Sequence, residues 1–333
     1  MRFFFLSAFI VFCCFQKPVE YKKIQIVGYA QGTTYHLTYY ASDSLVTKSQ
    51  LDSIFSSIDS SLSLYKPYSL VNQFNQSQTG LVVDKHLKNV VNKAIETFKQ
   101  TNGIFDITIY PLTEAWGFGV KKISTPPTAS RVKSLKACVN SNLLSWSGNK
   151  LVKKKPCVRL DPNGIAQGYT VDVIADFLEK NGIINYIAEV GGEIRVKGRK
   201  FPENEAMKIG IELPGDNEFA DSIMQQVISI DSGAVTTSGS YRKFYETKGK
   251  KISHILDART GMPAQNELIS VTVIAKDGIT ADAFDNALMA MGLSKALKFV
   301  EARKDMSAHF IYRLKNGVIK DTASLEFYRF LQQ

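Results

Sequence analysis

Much of this chain is written in short apolar runs that alternate with polar residues at period two and stop at glycine. "MKIGIEL", "MQQVISIDS", "KISHILDA", "LISVTVIA" and "SAHFIYRL" each read as a strand. "INYIAEVGGEIRVKG" reads as a strand interrupted at Gly191 and Gly192, and "KKIQIVGYAQGTTYHLTYY" alternates around a break at Gly32. Few long helical patterns lie between them. In "SQLDSIFSSIDSSLSLY" residues Leu51, Ile54, Phe55, Ile58 and Leu62 share one face, and "DKHLKNVVNKAIETFKQTNG" is closed by Gly103. "LDPNGIAQGYTVDVIADFLEKNG" is a loop feeding a helix that ends at Gly182. Hairpin-like strands with scattered helices predict an α+β fold of largely antiparallel sheets packed with helices, not a parallel βαβ succession. "KPYSLVNQFNQSQTG" reads as a polar loop. Residues 120–130 are the most linker-like stretch, ahead of a helix and a hairpin turning at Gly148-Asn149.

At 333 residues and 44% hydrophobic, the chain can bury a large core or two intimately packed lobes. Its formal charge of +10 suits anionic partners, yet the longest basic run is only Lys153 to Lys155. A nucleic-acid groove needs cations gathered on one face with a recognition element, so a solvated basic surface is the reading and no nucleic-acid partner is expected.

"MRFFFLSAFIVFCCFQKP" pairs an early cation with an apolar run from Phe3 to Phe15, too short to span a bilayer and suited to a secretory signal. Residues 1–20 are therefore read as a signal of lipoprotein type and 21–333 as a single domain. Cys13 and Cys14 end the run where bacterial lipoproteins carry their lipidated cysteine, although no small residue precedes them. The expectation is export to the periplasmic side, with a lipid anchor to a membrane. Two further cysteines, Cys138 and Cys157, flank the hairpin; a cross-strand disulfide and two free core thiols are both open.

Four polar, glycine-marked stretches fall where regular elements stop: "AQGTTY", "GIFDIT", "LDPNGIAQGY" and the run from Ser238 to Gly261. The GxxxxGK[ST] and GxGxxG phosphate loops are missing, which removes the main support for kinase-like and Rossmann-type assignments. His254 shares a period-two face with Ile252 and Leu256, as a satisfied strand histidine would. The polar turn of Asp257, Arg259, Thr260 and Gly261 beside it is equally a place where a general base meets a substrate. In "GITADAFDNALMAMG", Thr280 reads as an N-cap, with Asp282, Asp285 and Asn286 at i, i+3 and i, i+4 near a helix start. Helix capping explains one carboxylate; three converging oxygen donors are also what a hard cation such as Mg²⁺ accepts.

Taken in order, "GTTY", "LSLYKPYSLVNQFN", "FDITIYPLTEAWGFG", "LDPNGIAQGYTVD", "VGGE", "TTSGSYRKFYETKGKKISHILDARTG" and "SVTVIAKDGITADAFDNALMAMG" resemble the ApbE family of FAD:protein FMN transferases, from about Gly28 to Leu331. The resemblance implies that FAD is the substrate and that FMN passes, with Mg²⁺, to a Ser or Thr hydroxyl of an electron-transfer protein as AMP leaves. It implies FAD contacts from Gln31, Tyr65, Ile104, Phe105, Asp106, Asp161, Gln167 and Leu256. It further implies a metal site of Asp282, Asp285, Asn286 and the Gly164 carbonyl, and His254 as the base. Four positions depart from the family pattern: Gln31 stands for Met, Gln167 for Lys or Glu, Asn286 for Thr, and Ala258 for Pro. The same scaffold could instead hydrolyse FAD to FMN and AMP, or bind flavin without turnover.

Overall fold

The computed structural model describes residues 20–331 apart from 121, 122, 124, 214–222, 241–243, 248 and 249, so residues 1–19 of the expected signal lie outside it. The chain opens with the hairpin β1 (Lys22–Ala30) and β2 (Thr33–Ala41), turning at Gln31 and Gly32, both with positive φ. Next come α1 (Lys48–Leu62), α2 (Leu70–Gln76), β3 (Gly80–Val82), α3 (Lys85–Gln100), α4 (Tyr110–Ala115) and α5 (Ala129–Lys136). A second hairpin, β4 (Leu144–Ser147) and β5 (Lys150–Lys153), leads to α6 (Ala166–Lys180). Then follow β6 (Tyr186–Val190), β7 (Glu193–Lys197), β8 (Arg199–Lys200), β9 (Glu205–Leu213), β10 (Ile223–Ile230) and β11 (Ser232–Gly239). Short pieces β12 (Phe244–Thr247), β13 (Lys250–Ser253), β14 (Leu256–Asp257) and β15 (Met262–Pro263) precede β16 (Leu268–Ala275). The chain closes with α7 (Gly278–Met291), α8 (Leu293–Glu301), β17 (Met306–Arg313) and β18 (Ile319–Ala323).

An eight-stranded sheet of order β1-β2-β6-β7-β11-β16-β17-β18, antiparallel at every step, is the frame, as the α+β reading expected. Period two sorts its side chains. Val271 and Val273 of β16 face Phe284 and Leu288 of α7, whereas Ile274 joins a core with the small sheet β10-β9-β8 on the other side. Along the same helix-bearing face, α6 lays Val171, Ile174 and Leu178 on Leu37, Tyr186 and Ala188 of β2 and β6. The opposite face of α7, Ala283 and Ala287, meets the cluster built from α1, α2 and α3. α7 is thus packed on two sides, which is why its sequence is apolar nearly all round.

The stretch taken as a polar loop at "KPYSLVNQFNQSQTG" contains α2. Ser69 accepts from the Asn72 N–H at its start, and Val71 and Phe74 are buried. "KISHILDA" is not one strand: it breaks between β13 and β14 at His254 and Ile255. Cys138 and Cys157 are joined in a disulfide, with Cα atoms 5.5 Å apart.

Candidate functional site

The N-terminus of α7 organises the site. Its cap is Asp277, whose side chain accepts from the Thr280 N–H, so Thr280 is not the cap expected from sequence. Asp282 and Asp285 consequently lie beyond the first turn, where stabilisation of unsatisfied N–H groups no longer accounts for a carboxylate. Both are almost wholly buried, at 3% and 1% exposure.

α6 grips this helix start. Asp172 accepts from the N–H groups of Gly278 and Ile279 at 2.7 and 2.8 Å and pairs with Arg195 of β7 at 3.1 Å. Arg195 in turn donates to the Lys276 carbonyl. Gly168 and Gly278 face one another with no room between them: a Cβ on Gly168 would run into the Gly278 carbonyl oxygen and come within 2.6 Å of the Asp282 Cβ. That closeness lets the Gly168 N–H donate to Asp282 Oδ2 at 2.8 Å.

Burial pushes the Asp282 carboxyl up to about 7, against the pull of the Gly168 N–H, and the Asp172 charge adds to the rise. Asp285 is raised well above the ordinary carboxylate range, first by burial and then by Asp282. Asp172 is raised to about 6 by burial in spite of its two N–H donors and Arg195.

A cleft opens over these groups. Its floor is Asp282, Asp285, Asn286 and Gly164, the last from the turn in which the Ile165 and Ala166 N–H groups close on the Pro162 carbonyl. One wall is Ile104, Phe105 and Asp106, held by the Phe105 N–H on Thr101 Oγ1 and tied to the far side by the Ala258 N–H on the Ile104 carbonyl. His254 and Leu256 form the facing wall, with Asp161 and Gln167 between and Tyr65 exposed at the rim. His254 is half-buried in the break after β13, edge-on to Phe118 with ring centroids 6.2 Å apart.

All the residues proposed from sequence meet in this cleft except Gln31. Gln31 sits at the β1–β2 turn, and its amide donates to Asp59 Oδ1 at 3.3 Å. Asp106 contributes in another way than its carboxylate suggests. Oδ1 accepts from the Thr108 N–H and from the hydroxyls of Thr108 and Ser141, and Oδ2 accepts from the Ser141 N–H. The carboxyl, raised by burial against those donors, is a brace for the wall. Asp161 is held by Thr113 Oγ1 at 2.7 Å and forms an Asx turn with the Asn163 N–H.

Sequence reasoning passed over Glu193, Thr237 and Ser238, which also line the cleft. All three lie inside quoted motifs, Glu193 in "VGGE" and Thr237 and Ser238 in "TTSGS". β11, which carries Thr237 and Ser238, does not alternate cleanly because the sheet is covered on both faces there.

The oxygen donors suit a hard cation. Gly164 O, Asp282 Oδ1 and Asp285 Oδ1 all lie within 3.5 Å of one point, the Asn286 amide nitrogen, so three oxygens converge on a group bearing partial positive charge. Among the described residues no three His, Cys, Asp or Glu side chains form a metal cage.

A cleft with apolar walls, a histidine on one side and buried carboxyl groups at the floor is the build of an enzyme active site on an α+β frame. The ApbE family model matches residues 31–310, and the chain belongs to that family. Two curated relatives are both named FAD:protein FMN transferase. The one from Vibrio cholerae is 33% identical over 98% of each chain, and the one from Escherichia coli K12 is 31% identical over 96% of this chain and 93% of its own. The solved flavin transferase ApbE of Vibrio cholerae superposes with a TM-score of 0.83 at 32% identity, covering 93% of this chain and all of that one. The apo flavinyl transferase ApbE of Pseudomonas stutzeri gives 0.84 at 30%, over 95% and 98%.

Proposed function

We propose that this ApbE-family enzyme is an FAD:protein FMN transferase that moves FMN from FAD to a Ser or Thr hydroxyl of an acceptor protein and releases AMP. The activity rests on the named relatives. The single observation that carries the finer reading is that His254, the apolar walls and the buried oxygens of α7 face one cleft.

A hydroxyl is a weak nucleophile at neutral pH, so a base must take its proton as the oxygen attacks. His254 does so, the new bond forms to the FMN-side phosphorus, and the phosphoanhydride bond to the AMP phosphate breaks. The proton then passes to the leaving phosphate or to solvent. Phe105 and Tyr65 offer flat ring faces and Leu256 an aliphatic one for the flavin and adenine rings to pack against. Asp282, Asp285, Asn286 and the Gly164 carbonyl would hold Mg²⁺, which when bound offsets the negative charge of the pyrophosphate and of departing AMP. Asp172 and Arg195 keep those ligands in place by fixing the start of α7.

Export with a lipid anchor is part of the reading. Its support is the N-terminal apolar run ending at Cys13 and Cys14, together with the Cys138–Cys157 disulfide, a bond that persists in oxidising compartments. Among the described residues no helix is long and apolar enough to cross a membrane.

The test is to incubate the protein, FAD and Mg²⁺ with and without a flavin-acceptor domain and to read the acceptor by mass spectrometry. Transfer adds the mass of FMN to the acceptor and makes AMP release depend on it. Equal AMP release in both arms with no labelled acceptor means an FAD pyrophosphatase, and flavin binding without AMP means a carrier. His254→Ala should keep FAD binding and lose about a hundredfold or more in transfer rate. An unchanged rate removes the base assignment.

A further inference from the structure

The last residue of the proposed metal set has two ends, and the structure uses both. The Asn286 amide nitrogen lies 2.9 Å from Asp285 Oδ1, 3.3 Å from Asp282 Oδ1 and 3.0 Å from the Asp282 carbonyl, with the Gly164 carbonyl at 3.5 Å. Its oxygen accepts from Ser238 Oγ of β11 at 3.2 Å. The amide is therefore oriented: its donor end faces the oxygens that would ligate a cation, and its acceptor end faces away from them. Side-chain amides donate through nitrogen and bind hard cations only through oxygen.

Resting on the metal reading above, we propose that Asn286 is an internal stand-in for the cation, a donor to the carboxylate pair when no metal is bound, and that metal binding requires this amide to turn. Turning it about Cβ–Cγ aims Oδ1 at the ion, gives up the donations to Asp282 and Asp285, and makes Ser238 Oγ an acceptor where it now donates. Whatever stabilises the protein without metal but not with it weakens metal binding by the same factor. Asn286 is then an affinity-setting residue that holds the site together without metal and raises the metal concentration needed to fill it. A threonine at this position supplies a ligand oxygen with a single hydroxyl donor and no second arm, so it competes less.

Calorimetric titration with Mg²⁺ and thermal melts in EDTA and in Mg²⁺ test this on the full folded protein. Asn286→Thr should bind Mg²⁺ about tenfold more tightly, the equivalent of one lost hydrogen bond of ordinary strength. It should also melt lower than the wild type in EDTA and regain the difference in Mg²⁺. Wild-type binding with no gain in affinity for Asn286→Thr, and an unchanged melt in EDTA, overturns the stand-in role alone. No Mg²⁺ binding by the wild type, with Asp282→Asn indistinguishable from it, overturns the metal reading and this proposal with it. If the threonine variant does not fold in either buffer, Asn286→Ser carries the same hydroxyl in a smaller side chain and is read by the same criteria.

Discussion

Lys153 shows how a single residue can be misread from its neighbours. In sequence it belongs to the basic run 153–155, which looks like solvated surface, yet its side chain is buried. Nζ donates to the Val158 carbonyl at 2.9 Å and sits 4.6 Å from the centre of the Phe74 ring. Burial lowers it from 10.5 to about 8, with Arg159 adding repulsion. Because the folded value lies below the unfolded one, the stability it contributes is complete above about pH 10.5 and is lost as pH falls through 8. The melting temperature of the wild type relative to Lys153→Met should therefore fall between pH 10 and pH 7.5, and a difference that stays flat removes the assignment. The same limit of local reading applies to Thr280. Asp277 caps α7 because the chain leaves β16 one turn earlier than the spacing of the acidic residues implied. Residue type and spacing found the carboxylates, but their burial depends on which elements close over them.

Elements with one buried face were legible: α1, α3 and α6 announce themselves by apolar spacing, and β9, β16 and β17 by alternation or apolar runs. Short elements defined by long-range contact were not, as α2 and the two-residue strands β14 and β15 show. The α6–α7 crossing is the element-scale feature on which the site depends. Gly168→Ala places a methyl carbon 2.2 Å from the Gly278 carbonyl oxygen, and neither backbone can yield without moving its helix. The variant should lose roughly 1–3 kcal/mol in denaturant unfolding and lose transfer activity out of proportion, since the Gly168 N–H would leave Asp282. A variant with wild-type activity would show that the helix contact does not set the site's geometry.

At the scale of the molecule, the antiparallel plan was readable from strand spacing, but the order of strands was not, because the β1–β2 hairpin joins the sheet through β2, which pairs with β6 across more than a hundred residues. The three-stranded sheet β3-β5-β4 packs into the cluster that walls one side of the cleft, and the Cys138–Cys157 bond closes a loop around its hairpin. For a sequence separation of 19, cross-linking is worth about 3 kcal/mol through the unfolded chain. Reduction with dithiothreitol, or Cys138→Ser with Cys157→Ser, should lower the melting temperature by several degrees; no change would mean the loop contributes nothing to global stability.

The cleft draws its residues from Tyr65 to Ala287, and the helix at its floor is wedged between α3, α6 and the central strands β11 and β16. A chain that has not yet brought α7 into place has no cleft floor, however much local structure it has formed, because that helix lies more than two hundred residues after the first of the cleft's residues. Docking of α7 is thus the moment at which the protein becomes able to act as a flavin transferase.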